Sequence, residues 1–275
     1  MSLVTIRICV AVALLCCATM TRAADTDLYR AQTIVTGTGE ANRLVGFADC
    51  LVDVLVKVSG VQSIADNARA AKLASFKSNA KDLVGAFSYH DQMSGIPIHD
   101  EQGTRDRPYD LTVDFDPDKI SSVLNALGLK PWLAHRPTLA VFAGVQQGAM
   151  NFVVTADGDR GDLQRDSVLA AAAKYGVSVT LPKLAVLDKS RIDATSLAKT
   201  SPATLAPVAA EQGAEAVLIG RLAWDARALA WTGQWQMDWQ NKPHRWQARG
   251  ATYDDVFRRG VGGVAQLLSG NGEPK

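Results

Sequence analysis

The sequence predicts an α/β (α+β) protein of two domains, the second a mixed sheet with packed helices, a Trp-rich antiparallel hairpin and a final helix. Three observations carry this. Residues 40–60 repeat apolar side chains at helical spacing, while 139–145 and 216–222 are short, mostly apolar segments of the buried-strand type, separated by helical segments. Residues 231–240 alternate strictly, with Trp231, Gly233, Trp235, Met237 and Trp239 on one face and Thr232, Gln234, Gln236, Asp238 and Gln240 on the other. Hydrophobic residues make up 47% of the 275 and charged residues 21%, so both domains have the material for a core.

Residues 1–24 read as a signal peptide. A short segment bearing Arg7 precedes an apolar run at 8–18, too short to span a bilayer, and Thr21-Arg22-Ala23 places small residues at a cleavage site. The expected product starts near Ala24 or Asp25, in the periplasm or secreted. Cys16 and Cys17 leave open an alternative, a lipid anchor. Of four cysteines only Cys50 lies beyond the leader; it falls on an apolar helix face and reads as an inert buried thiol.

The N-terminal α+β domain is expected over 25–130. A strand at 29–35 turns through Gly37-Thr38-Gly39 into a helix over 40–60, which buries Leu44, Phe47, Ala48, Leu51, Leu55 and Val58. Val45, Val52, Val54 and Val56 widen that stripe, and Asn42, Gly46, Asp49, Asp53 and Lys57 form the polar line. A weaker helix is expected over 67–83, then strands at 84–89 and 109–115 joined by a polar loop. Asp116-Pro117 supplies a cap and an N1 proline for a helix that stops at Leu127-Gly128.

The domains meet near 128–137, and the C-terminal α/β domain is expected over 131–270, with 271–275 a frayed tail. Its strands fall at 139–145, 151–155, 177–181 and 216–222, with helices at 162–175, closed by Gly176, and 203–212, closed by Gly213. After the Trp strand, Asn241-Lys242-Pro243 turns into a partner in which Trp246 and Ala248 oppose Arg245, Gln247 and Arg249. The last helix, 252–268, carries one apolar face, which the Trp face is expected to receive.

Charge narrows the function. Twenty-nine basic and 28 acidic residues give +1, and about −1 once the leader is gone, so no overall field draws nucleic acid. No segment beyond the leader has the apolar length of a transmembrane anchor. The familiar chemical motifs fail residue by residue. Gly37-Thr38-Gly39 lacks the third glycine of a dinucleotide loop and the Lys of a P-loop. Asp114, Asp116 and Asp118 would need Gly and Glu where Lys119 and Asn125 stand. Asp157, Asp159 and Asp162 form the better calcium candidate, though acidic loops usually face water, and Asp162 also serves as a helix cap. His90, His99, His135 and His244 have no metal-ligand spacing. Ser78-Asn79-Ala80-Lys81 lacks the companion boxes of penicillin-binding enzymes, and Arg160-Gly161-Asp162 is adhesive in spelling only. No catalytic residue, cofactor or metal site is therefore expected. What remains is the polar face of the hairpin, Gln234, Gln236, Asp238, Arg245, Gln247 and Arg249, as a docking surface. The five tryptophans from Trp224 to Trp246 leave a stacking platform as the other option for that hairpin.

Several stretches resemble the domain of unknown function 2066 family, exported bacterial proteins of unassigned activity. They are Leu51-Val52-Asp53-Val54-Leu55-Val56-Lys57-Val58-Ser59-Gly60, Leu129-Lys130-Pro131-Trp132, Arg136 to Phe142, Ala210 through Ala216-Val217-Leu218-Ile219-Gly220-Arg221, and the Trp231 to Trp239 strand. The C-terminal half is also similar, in topology, to the α/β domain of outer-membrane accessory proteins such as the N-terminal part of TolB and curli-type lipoproteins. The resemblance implies no catalytic residue. Export and resemblance together point to a non-enzymatic periplasmic accessory or interaction protein whose partner is another envelope protein. The alternative is an envelope hydrolase or small-ligand binder using loops 91–107 and 156–161.

Overall fold

A computed structural model describes residues 28–66, 68–96 and 107–274. The leader with Cys16 and Cys17, His99 and most of the 91–107 loop lie outside the described residues. The chain divides into two units: one runs up to Val58 and includes Ile64–Lys130, and the other takes Ser59–Ser63 with 131–274. Among the described residues no helix is long and apolar enough to cross a membrane.

The first unit is a three-stranded antiparallel sheet, β1 (Arg30–Thr36), β3 (Pro108–Phe115) and β2 (Val84–Asp91) in that spatial order, with three helices. Ala31, Val35, Leu111, Val113 and Phe115 point inward, and α1 (Glu40–Ser59) brings Phe47, Cys50, Leu51, Val54, Leu55 and Val58 into the core. The expected stripe differs at its start. Leu44 in the first turn is 37% exposed and Val45 is turned to solvent. Gly46, expected on the polar line, is buried instead. A Cβ there would stand 2.5 Å from Leu111 Cδ2 and 2.9 Å from Val35 Cγ1, so its missing side chain is what lets the helix seat against the sheet.

The helix expected over 67–83 is α2 (Ala70–Ser78) followed by a 3₁₀ turn, Ala80–Leu83. Ser78 Oγ and Asn79 Nδ2 donate back to the carbonyls of Ala74 and Ser75, at 3.1 and 3.0 Å, local bonds that compete with continuing the helix. Asp116 caps α3 (Pro117–Ala126) as expected, accepting from the backbone N–H of Asp118 and of Lys119 at 2.9 and 3.0 Å.

In the second unit a mixed sheet runs β5 (Met150–Val153), β4 (Leu139–Gln147), β7 (Ala216–Asp225), β8 (Ala230–Trp239), β9 (Lys242–Gly250). β4 and β7 are parallel; the two-residue β6 (Val179–Thr180) also pairs parallel with β4, shorter than the strand expected at 177–181. The β8–β9 turn is Gln240-Asn241, both at positive φ (50° and 61°), the two-residue geometry that matches strand twist, one residue earlier than expected. α4 (Asp162–Tyr175) ends in left-handed Gly176, and its N-cap is Gly161, with Asp162 the first helical residue rather than the cap.

One face of this sheet carries α4 and α8 (Tyr253–Leu268). The Trp face is core: Trp231, Trp235, Met237, Trp246 and Ala248 are buried, with the Trp235 ring at 5.9 Å from Phe257 and Trp231 at 5.7 Å from Tyr253. Trp239, on the same face, stays half-buried. Glycine makes room. A Cβ on Gly260 of α8 would overlap the Trp235 ring; one on Gly220 of β7 would lie 2.8 Å from its Cε3, and one on Gly233 of β8 2.9 Å from its Nε1. Among the described residues the indole N–H groups of Trp235 and Trp246 have no hydrogen-bond partner, a local cost that burial of two large rings outweighs.

The opposite face is covered only in part. Three helices, α5 (Leu184–Ser190), α6 (Ala194–Leu197) and α7 (Pro202–Ala210), bury Leu187, Leu197, Leu205 and Ala209 against Ala140, Phe142, Val217 and Ile219 of β4 and β7. α5 and α6 occupy a stretch for which no element was expected. Beyond them the outward faces of β8 and β9 remain open. The expected frayed tail is tied down: Asn271 Nδ2 donates to the Ser59 carbonyl at 2.8 Å, Gln266 Nε2 to the Glu273 carbonyl at 2.9 Å, and Glu273 reaches His244 at 2.9 Å.

Candidate functional site: the open face of the sheet

Register decides what this face presents. Two ladders make three cross-strand rows, Arg221 with Gln234 and Gln247, Gln236 with Arg245, and Thr232 with Arg249. Because side chains alternate, all of these stand on the side away from the tryptophans. Gln234, Asp238, Arg245, Gln247 and Arg249 are exposed and Gln236 is half-buried, so the six expected residues share one open surface. Asp238 lies at its far end, opposite Pro243.

The segment after α6 walls one side. Gln236 Nε2 donates to the Thr200 carbonyl at 2.9 Å, tying that wall to the floor, and Arg221 Nη1 donates to Gln234 Oε1 at 3.4 Å. The result is a groove of about 450 Å³ lined by Ala198, Arg221, Gln234, Gln236, Arg245 and Gln247. It adjoins a hollow of about 380 Å³ that adds Lys199, Thr195, Thr232 and Asn151 and shares Ala198, Arg221 and Gln234. No carboxylate lines either, and among the described residues Arg221, Arg245 and Lys199 have no ion-pair partner. Guanidinium groups stay charged at any physiological pH, so a chain of near-zero net charge carries a locally positive groove. The lining offers positive charge and hydrogen bonds but no His, Cys, Ser or carboxylate to take or pass a proton. Arg221 and Lys199 were not among the expected residues: Arg221 ends what reads as an apolar run, and only strand register brings it beside Gln234.

Elsewhere the candidate loops are held by structural bonds. Asp157 accepts from the Leu184 N–H at 2.8 Å at the start of α5, and Arg165 holds the 156–161 loop through the carbonyls of Thr155 and Gly158, at 2.7 and 2.6 Å. Beside this loop lies a hollow of about 400 Å³ bordered by Asp159, Arg160, Asp188 and Asp193. The Asp193 carboxyl is held below its ordinary value by the Ser196 N–H and hydroxyl, the capping box of α6. Among the described residues no three His, Cys, Asp or Glu side chains gather to hold a metal. In the first unit, Arg107 cinches the near ends of the 91–107 loop, bonding Asp91 at 3.2 Å and the Ile96 carbonyl at 2.6 Å; His90 is exposed on β2. A hollow of about 790 Å³ lies between α7 and the β8–β9 turn and is lined by six alanines together with Trp239, Pro243, Asp238 and Glu215. Glu215 is committed there: His135 first, then the Thr138 N–H, hold its carboxyl below the ordinary range. Cys50 is buried, and that burial first, with Asp53 and Asp49 adding, pushes its thiol up to about 12.

Residues 23–133 match the family model described as Domain of unknown function (DUF8605). The match supports an uncharacterised domain over that span, without establishing identity with the domain of unknown function 2066, and the groove lies outside it. No curated protein and no solved structure matches the chain.

Proposed function

We propose that this chain is an exported, non-enzymatic accessory protein of the cell envelope that docks on another envelope protein through the open face of β8 and β9. The observation that carries the reading is the half-covered sheet. α5–α7 shelter β4 and β7 but leave an ordered polar surface of Gln234, Gln236, Asp238, Arg245, Gln247 and Arg249, set on strands fixed from behind by the Trp core. A rigid sheet holding amides and arginines is suited to recognition, and the groove lining holds no His, Cys, Ser or carboxylate. Export rests on the character of residues 1–24, which favours a soluble periplasmic form over an anchor at Cys16 or Cys17. The likeness to the domain of unknown function 2066 family, exported proteins without an assigned activity, supports the same reading.

The test is the double substitution Arg245→Ala, Arg249→Ala. Both side chains are exposed on the far side from the tryptophans, so stability should stay within about 0.5 kcal/mol while capture of the envelope partner falls. Capture equal to wild type would count against the surface. The hollow beside loop 156–161 favours the second reading, an envelope hydrolase or small-ligand binder. Reproducible turnover of peptidoglycan or ester substrates that is lost on changing His90 or His99 would establish that reading in place of the first.

A further inference from the structure

We infer that the occupant of this groove is an acidic, extended peptide segment of the partner, whose carboxylates seat on Arg221, Arg245 and Lys199. The inference rests on the docking reading above and adds the partner's chemistry. Charge is the first argument. Three cations line the groove and its adjoining hollow, no carboxylate does, and none of the three is neutralised by an ion pair among the described residues. An anionic partner is steered toward such a surface, and a cationic one is turned away.

The spread of the cations is the second argument. Arg221 stands on β7 and Arg245 on β9, two strand spacings or about 10 Å apart at the backbone, and offset by two residues along the strands. That spacing suits carboxylates several residues apart on an extended chain better than one compact anion. Between the cations lie Gln234 and Gln247, whose amides both donate and accept, as peptide groups do. A compact phosphate site would need N–H groups converging on one point. α6, which borders the groove, spans only four residues, and no residue of α7 lines the groove or its adjoining hollow.

The experiment titrates the full chain with a fluorescently labelled oligoglutamate peptide and reads anisotropy, with oligolysine as the control. Saturable oligoglutamate binding that weakens as salt is added, and that drops at least about tenfold in Arg221→Glu, Arg245→Glu, is the expected result. A melting curve matching wild type must accompany that variant, and Arg221→Gln, Arg245→Gln provides a milder pair if it does not. Absent binding, binding unchanged by both pairs, or equal binding of oligolysine overturns the inference. So does capture of phosphatidylglycerol vesicles or polyphosphate through the same arginines without oligoglutamate binding. The two readings separate cleanly. If a photo-crosslinker at Gln247 still joins an envelope protein while oligoglutamate does not bind, docking stands and the acidic-peptide inference falls; if both fail, docking falls with it.

Discussion

Gly260→Ala is the sharpest test of how the Trp core fixes the sheet, because helix propensity and packing give opposite signs. Alanine in place of glycine inside a helix ordinarily stabilises by about 1 kcal/mol. Here the new Cβ would overlap Trp235, standing 2.6 Å from its Cδ2 and nearer still to Cε2 and Cζ2, where ordinary contacts begin at 3.4 Å. The ring cannot simply retreat. Gly220 and Gly233 sit so close that a Cβ on either would itself collide with it, which places strand backbone against the indole. Overpacking of this kind costs about 1–3 kcal/mol, and the absence of a retreat puts it toward the upper end, leaving a net loss of about 1–2 kcal/mol. For a unit of roughly 150 residues that is a fall in Tm of about 3–6 °C. Urea denaturation followed by tryptophan fluorescence reads the change, with an unaltered slope confirming that stability and not compactness has moved. In a Trp235→Leu background the obstruction is gone, and the same Gly260→Ala should stabilise by about 0.5–1 kcal/mol. A neutral or stabilising effect in the wild-type background, or the same sign in both, would refute the wedge.

Trp235→Ala should cost about 3–5 kcal/mol by calorimetry, since a ring 2% exposed leaves a cavity; loss of under about 0.5 kcal/mol would return the tryptophans to the surface. Cys50 should resist a thiol reagent at pH 8 in the folded chain and react on unfolding. Its folded thiol holds its proton up to about 12 against an ordinary value of 9.0, so the folded chain binds the proton that the unfolded one releases; this contribution is intact below pH 9 and is lost as pH climbs toward 12, and Cys50→Ala should flatten that decline in stability–pH measurements. Asp116→Ala removes the acceptor for two N–H groups at the start of α3 and should cost about 1 kcal/mol of first-unit stability in denaturant titration.

Local chemistry was legible where one rule acted alone. Asp116-Pro117 at a helix start, Gly176 at a helix end and the strict alternation of 231–240 each specify a backbone outcome without help from distant residues. The same alternation put Gln234, Gln236, Asp238, Arg245, Gln247 and Arg249 on one face. What stayed hidden depends on contacts between segments far apart in the chain. Gly46 lies on a polar line by composition, and only Leu111 and Val35 show why it has no side chain. α5 and α6 are too short for a period to appear, and they are held by Leu187 and Leu197 in a core shared with β4 and β7. Arg221 and Lys199 reach the groove through register and through the wall after α6, information no local window contains. The tail's order comes from Ser59, Gln266 and His244, all distant from its own five residues or belonging to another element.

The central claim, that the open face of β8 and β9 is where this chain meets its partner, is tested most directly by site-specific photo-crosslinking in intact cells. A photoreactive residue at Gln247 on that face is compared with one at Ala170, also exposed but on α4 behind the sheet. The account expects a discrete adduct with one envelope protein from position 247, absent from 170 and reduced by Arg245→Ala, Arg249→Ala. Adducts of the same pattern from both positions, or none from 247, would contradict it.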